Sequence, residues 1–317
     1  MRFGMGLPGQ GESASPENQI KVIQKAEVLG FHYALIGDHI VIPKSFASTY
    51  PYSQTGEFSS RASGEYLDQL MLLSFLAGST TSIRLVPSVM IVPHRNPIVA
   101  AKQLATLDVL SKGRLTLGVG AGWLREEFEA LGIPPFEKRG AVTNEYLDIF
   151  KELWSNDNPT FQGEYCSFSD IMFEPKPIQK PHPPIWIGGE SKPAMRRAAR
   201  HGTAWHPLNA NPKYPLDTAN QLETSIAWLR NYSETIGRNP LNIDVAYRVS
   251  EHSIDPDNRK TTFSGTPSEI AEEIVAFKNL GVTDMIFDFR NADVTLMINR
   301  MELFAAEIMP LVGKELN

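Results

Sequence analysis

Apolar residues recur along this chain in two alternating kinds of segment. Short runs without helical period occur at 2–7, 33–36, 83–91, 114–119, 185–187, 203–205, 243–249 and 284–287. Brief apolar runs of this kind are expected of strands buried on both faces. Between them lie longer stretches with apolar residues on one face, such as Ile20, Val22, Ile23, Ala26 and Leu29. These predict helices at about 16–29, 67–77, 97–110, 124–130, 143–154, 216–236, 267–280 and 294–309, with a further helix opening after Ser191. Start and stop chemistry supports the boundaries. Ser15-Pro16-Glu17 and Thr266-Pro267-Ser268-Glu269 join a capping hydroxyl to a proline in the first turn, and Gly30, Gly113 and Gly281 close helices.

Eight strand-then-helix alternations imply parallel strands joined by right-handed crossovers. Eight of them in 317 residues predict an α/β fold of the (β/α)8 TIM-barrel type, read as one domain over 1–317. An open doubly wound sheet is the alternative, and it requires a reversal of strand order. Two stretches break the rhythm. One is a loop at 40–66, rich in Ser, Tyr, Pro and Gly; the other is an excursion at 155–184, with six prolines and a small hairpin around Gln162-Gly163-Glu164. Both are expected to shape a substrate pocket.

Charge and cysteine usage narrow the function. A net charge of -6 argues against nucleic acid or an anionic membrane as the main partner. The single cysteine, Cys166, rules out an internal disulfide and suits a reducing compartment. With no signal-peptide pattern and no apolar stretch of spanning length, a cytoplasmic protein is expected.

A barrel places its site at the C-terminal ends of the strands, which selects 38–39, 88–96, 118–123, 188–191 and 205–206. Gly118, Gly120 and Gly122 would let backbone approach a ligand, although Trp123 stands where the dinucleotide fingerprint needs a third glycine. Gly188-Gly189-Glu190-Ser191 opens a helix, so Ser191 can cap it while free N–H groups face a phosphate. Tight turns with no ligand are the plainer reading of both. His39, beside Asp38 at a strand end, is the leading proton-transfer candidate; His206 is second, and His94 sits in a mouth loop without an obvious partner. His32, His182, His201 and His252 read as surface or loop residues. No metal-ligand spacing and no nucleophile elbow occurs, so neither a metal nor a serine hydrolase is expected.

Several of these motifs together resemble the luciferase-like monooxygenase superfamily. Arg114 to Pro134, Asp38-His39-Ile40-Val41-Ile42-Pro43, Pro87 to Asp108, Pro184 to Ser191 and Gly202 to Leu208 carry the likeness in order along the chain. The likeness looks nearest to the branch using the deazaflavin coenzyme F420. It implies that His39 is the proton donor or acceptor and that Asp38 contacts the cofactor. It further implies a non-proline cis peptide at Ser88–Val89 behind the ring, Ala121 and Gly122 along the cofactor, and Gly188, Gly189 and Ser191 on its phosphate. Trp123 replaces a glutamate found in the sugar-phosphate dehydrogenases of the superfamily, which argues against such a substrate. The expected function is hydride transfer between reduced F420 and an organic substrate. An FMN-dependent monooxygenase and a non-catalytic flavin-binding barrel are the alternatives. A small-molecule substrate and, as one option, a homodimer complete the expected partners. The acidic F420 tail would need basic residues, and the mouth loops offer Lys44, Arg61, Arg95, Lys192 and Lys213.

Overall fold

Strand β1 (Arg2–Gly6) opens the chain and is followed by α1 (Pro16–Val28), whose first turn is capped by Ser15 accepting from the Asn18 N–H. The computed structural model describes residues 1–58, 65–255, 257 and 261–314. Then come β2 (Tyr33–Ile36), α2 (Gln69–Ala77), β3 (Arg84–Pro87), β4 (Met90–Ile91), α3 (Pro97–Leu110) and β5 (Leu117–Gly120). Helices α4 (Arg125–Leu131) and α5 (Arg139–Ser155) lead to the two-stranded hairpin β6 (Phe161–Gln162) and β7 (Ser167–Phe168). The order continues through β8 (Ile185–Gly188), α6 (Lys192–His201), β9 (Ala204–His206), α7 (Ala219–Thr235) and β10 (Asp244–Val249). Strands β11 (Ser253–Ile254) and β12 (Ser264–Gly265), α8 (Pro267–Leu280), β13 (Asp284–Phe287), α9 (Val294–Glu307) and α10 (Met309–Lys314) complete it.

Nine parallel strands hydrogen-bond in the order β3-β2-β1-β13-β10-β9-β8-β5-β4. The two ends of that order, β3 and β4, are halves of one interrupted strand. A further bridge joins Leu85 to Leu115, just ahead of β5, so the sheet curls round on itself as a barrel. The expected strand at 83–91 is two pieces, β3 and β4, on either side of the cis peptide between Ser88 and Val89. The small parallel pair β11·β12, outside the barrel, has no counterpart in the sequence pattern.

Side chains alternate across each strand, so the barrel interior takes every second residue. Tyr33, Leu35, Val86, Trp186, Ala204, Ala246 and Ile286 form this inner cluster, with the Tyr33 and Trp186 rings 4.8 Å apart. The larger core lies between the strands' outer faces and the helices; Val22, Ile23, Leu104, Phe150, Ile274 and Met301 belong to it. Burying residues on both faces explains why the strands read as continuous apolar runs.

The Gln179 end of the 155–184 excursion lies at the opposite end of the barrel from the strand C-termini. The excursion's hairpin packs beside the first turns of α5, where Glu145 accepts from the Glu164, Tyr165 and Cys166 N–H groups. The Gln179 side chain donates to the Leu115 carbonyl and to Asp108, and Arg84 donates to Gln179. These partners sit at the strands' N-terminal ends. The segment leads from a helix into the start of β8, not out of a strand end. The stretch around Gln179 closes the floor of the barrel and does not shape a pocket at its mouth. Residues 59–64 of the 40–66 loop, Arg61 included, lie outside the described residues.

Candidate active site

Continuing each strand's alternation by one step places Ser88, Gly188, His206, Arg248 and Asp288 in the uppermost layer of the barrel interior. Val89, just past the cis peptide, sits between β5 and β8. A Cβ on Gly120 would come within 2.6 Å of one Val89 methyl, and a Cβ on Gly188 within 2.7 Å of the other. A Cβ on Gly118 would meet the Pro87 carbonyl at 2.5 Å. These glycines thus make room for the crossing chain, and the same bareness gives the mouth a flat bed. Gly122 adopts φ 90° and Gly189 φ 104°, a region that glycine enters without steric cost.

Ser88 Oγ lies 3.0 Å from His206 Nε2, and His206 Nδ1 lies 2.6 Å from the Ala246 carbonyl. A carbonyl only accepts, so Nδ1 carries the proton and Nε2 accepts from the serine hydroxyl. Burial lowers the His206 pKa to about 4. The ring is a neutral structural strut with both nitrogens committed, which removes the ground for treating it as the second proton carrier.

His39 stands at the end of β2. Its Nδ1 is 2.8 Å from Glu127 Oε2, and the other Glu127 oxygen accepts from the Ile40 and Val41 N–H groups. Burial alone would raise the Glu127 pKa. The hydrogen bond and charge of His39, with His94 and the Ile40 N–H, outweigh burial and hold it below the usual carboxylate range. The imidazole edge packs among Phe58 and Tyr66, both at 5.0 Å, and Trp123 at 6.2 Å. With Nδ1 donating to the carboxylate, Nε2 is the atom able to exchange a proton.

Asp38 turns to a different task. Its Oδ2 accepts from the Ile91 N–H at 2.9 Å and from Arg95 Nη1 at 2.6 Å, and its Oδ1 accepts from Arg95 Nη2 at 2.9 Å. Both oxygens serve the protein, tying the end of β2 to the far side of the cis peptide. His94, expected to lack an obvious partner, is buried with neither ring nitrogen hydrogen-bonded among the described residues; its Nδ1 lies 3.8 Å from Glu127 and its ring stands edge-on to Phe128. His252, read as a surface or loop residue, lies in the loop after β10 but packs inward, edge-on to Phe287, Phe289 and Phe304, and burial lowers its pKa to about 4.

At the other strand ends, Ser191 caps α6 by accepting from the Ala194 N–H, as its position predicts. Trp205 Nε1 donates to the Gly189 carbonyl and steadies the turn. Glu190 is directed away, accepting from the Leu208 N–H and from Asn211 Nδ2, and burial raises its pKa. A negative charge is thereby kept off the helix N-terminus. Ala121 and Gly122 follow β5 as an open turn whose Gly122 carbonyl accepts from Arg139.

The loop after β2 lies over this layer. Tyr50 packs against Tyr52, Phe58 and Trp123 at 5.7, 5.1 and 5.1 Å. A cavity of about 690 Å³ opens farther out on the rim, lined by Tyr52, Asn209, Asn211, Asp217, Ser250 and Glu251 among others. None of the sequence-predicted site residues lines it. Of the basic residues considered for a cofactor tail, Arg95 is bound by Asp38, Lys192 sits 3.9 Å over the Trp228 ring, and Lys213 lies 5.6 Å from the Tyr214 ring. Among the described residues no group of three His, Cys, Asp or Glu is placed to hold a metal, and no helix is long and apolar enough to cross a membrane.

The pattern missed Glu127, the pairing of Arg95 with Asp38 and the aromatic cover, since the partners lie far apart in sequence. Arg248 did carry a signal: it breaks an apolar strand at a position of inward parity.

Known proteins are similar to this chain in sequence and in fold. A family model described as luciferase-like monooxygenase matches residues 1–257. The FMNH(2)-dependent dimethylsulfone monooxygenase of Pseudomonas putida is 26% identical over 338 residues, covering 92% of this chain and 86% of that protein. The crystal structure of monooxygenase RslO1 from Streptomyces bottropensis superposes with a TM-score of 0.75 at 23% identity, covering 98% of this chain and 99% of that one. An F420-dependent secondary alcohol dehydrogenase, in complex with an F420-acetone adduct, gives a TM-score of 0.75 at 18% identity and covers 98% of each chain. At these identities the two structures attest the fold.

Proposed function

The chain belongs to the luciferase-like monooxygenase family, and from that premise we propose that it is an oxidoreductase moving a hydride between coenzyme F420 and an organic substrate. Val89, Ala121 and Gly122 would support the ring, and Gly188, Gly189 and Ser191 would hold the ribityl phosphate at the start of α6. The bare bed around Val89 fits a flat ring system, and the capped helix start with Glu190 turned aside fits a phosphate. A bound deazaflavin supplies two-electron hydride chemistry; the protein supplies position, dryness and the proton.

The observation that carries the proposal is the His39–Glu127 pair at 2.8 Å. Hydride transfer to a carbonyl or an activated double bond leaves the substrate needing a proton. As an imidazolium held by the Glu127 carboxylate, His39 would deliver that proton from Nε2, be left as the neutral Nδ1–H tautomer, and take a proton from solvent before the next turnover. The aromatic rings around it keep water from the exchange.

A second reading is an FMN-dependent monooxygenase. The name of the Pseudomonas putida relative favours it, as does the scarcity of free basic side chains for an acidic tail. Titration of the apoprotein with F420 and with FMN, read by quenching of Trp123 and its neighbours, separates the two. The proposal expects F420 to bind at least tenfold more tightly, about 1.4 kcal/mol. Equal or tighter FMN binding, with oxygen consumed during turnover, would move the assignment to the monooxygenase.

A further inference from the structure

One charged side chain in the inner layer has no use in the mechanism above. Arg248 lies on β10 two residues beyond Ala246, a member of the inner cluster, and shares its inward parity. Its backbone is pinned: the N–H donates to the Pro207 carbonyl, and its own carbonyl accepts from the Asn209 N–H. The side chain is 20% exposed, and its guanidinium makes no hydrogen bond among the described residues. Its one ionic neighbour there is Asp288, at 3.9 Å from Nη2. Asp288 is already taken: Arg290 Nε binds both its oxygens, at 2.7 and 3.0 Å, and Arg290 Nη2 adds a third contact. Two guanidiniums against one carboxylate leave a positive charge facing the mouth. A largely buried cation whose donors find no hydrogen-bond acceptor among the described residues is suited to pairing with an incoming anion.

Strand order says what that partner is. The proposed cofactor residues sit on β4, β5 and β8, consecutive in the barrel. Arg248 belongs to β10, and Asp288 and Arg290 to the turn that follows β13; these strands lead on through β1 to β2 and His39. The cation therefore lies on the half of the mouth that the cofactor residues leave free. Between it and His39 stand Tyr50, Phe58 and Trp123, an apolar surface for the body of a ligand. Gly6 of β1 adds no side chain, and a Cβ there would stand 3.5 Å from Arg290.

We propose that Arg248, flanked by the Asp288–Arg290 pair, is the headgroup site of the substrate, and that the substrate is an organic carboxylate or sulfonate with an apolar body. The planar guanidinium fork matches two oxygens of such a group. Calling the ligand the substrate rests on the oxidoreductase reading; the anion site itself does not.

The test is calorimetric binding of hexanoate, hexane-1-sulfonate and hexan-1-ol, to the protein alone and to the cofactor-loaded protein. The two anions should bind at least about tenfold more tightly than the alcohol. Arg248→Gln should abolish that preference and leave cofactor affinity unchanged. Arg248→Lys, which keeps the charge without the fork, should retain part of it and confirms that the site folds. Arg200→Gln, at an exposed position on α6, should behave as wild type. Equal binding of anion and alcohol, or a preference that survives Arg248→Gln, would overturn the proposal. So would a fall in cofactor affinity in Arg248→Gln matching the fall for the probes, since the guanidinium would then serve the cofactor. A wild-type protein that prefers the anions but binds neither F420 nor FMN would uphold the site and overturn the oxidoreductase reading.

Discussion

His39 and Glu127, 88 residues apart in the chain, meet at 2.8 Å because β2 and the turn into α4 finish side by side at the barrel mouth. The carboxylate also accepts from the two N–H groups that follow His39, so a single side chain fixes both the ring and its loop. His39→Ala should lower turnover by about 10²–10⁴-fold, the usual worth of general acid–base help, with cofactor affinity little changed. Glu127→Gln should fall between that variant and wild type. Steady-state kinetics alongside a cofactor titration separates the effects. Full turnover in Glu127→Gln would reduce the pair to a structural contact.

Asp38 and Arg95 form a buried pair, with side-chain exposures of 0% and 10%, and they clamp the strand that carries the cis peptide. Removing one partner strands the other charge, which typically costs about 3–5 kcal/mol. Arg95→Met should show a loss of that size in urea unfolding. A loss under about 1 kcal/mol would place the pair with ordinary surface bridges.

Gly188→Ala tests the bed. The added methyl would meet a Val89 methyl at 2.7 Å and the Val119 carbonyl at 3.3 Å. Overpacking of this kind costs about 1–3 kcal/mol. The stronger expectation is displacement of Val89, read as weakened cofactor binding out of proportion to the loss of stability. Unchanged binding would show that Val89 does not support the ring.

His206 and His252 both have folded-state pKa values lowered to about 4. The unfolded chain, with an ordinary histidine pKa near 6.5, binds more protons between those values, so stability rises with pH across that window. Acidification from about pH 6.5 toward 4 should therefore destabilise the protein, by up to about 3 kcal/mol for His206 alone. Thermal melts across that range should show the slope, and His206→Asn should flatten it whatever its melting temperature near neutrality. A wild-type curve flat from pH 6.5 to 4 would contradict the burial argument.

Local physics explains what could be read from the sequence. Strands buried on both faces must be apolar throughout, and crossover helices need one apolar face and a capped start. The run at 243–249 and the cap at Thr266-Pro267 are therefore visible without coordinates. The parallel alternation that follows from them, repeated eight times, leaves the barrel as the natural closure and places His39, Ser88, Gly122 and Ser191 at one rim. Whether two side chains meet depends on how the ring of strands closes, and no local propensity encodes that. Nothing near Asp38 announces Arg95, nothing near His39 announces Glu127, and the same apolar context that hid His252 in an aromatic cluster reads in sequence as loop. The proline-rich stretch at 155–184 is plainly irregular by composition, yet only packing decided that its Gln179 end seals the floor, because Gln179 found its partners on Asp108 and Leu115. Arg248 lies between the two cases. Its inward parity follows from the chain's own alternation, while its lack of a full partner arises only once Arg290 has claimed Asp288.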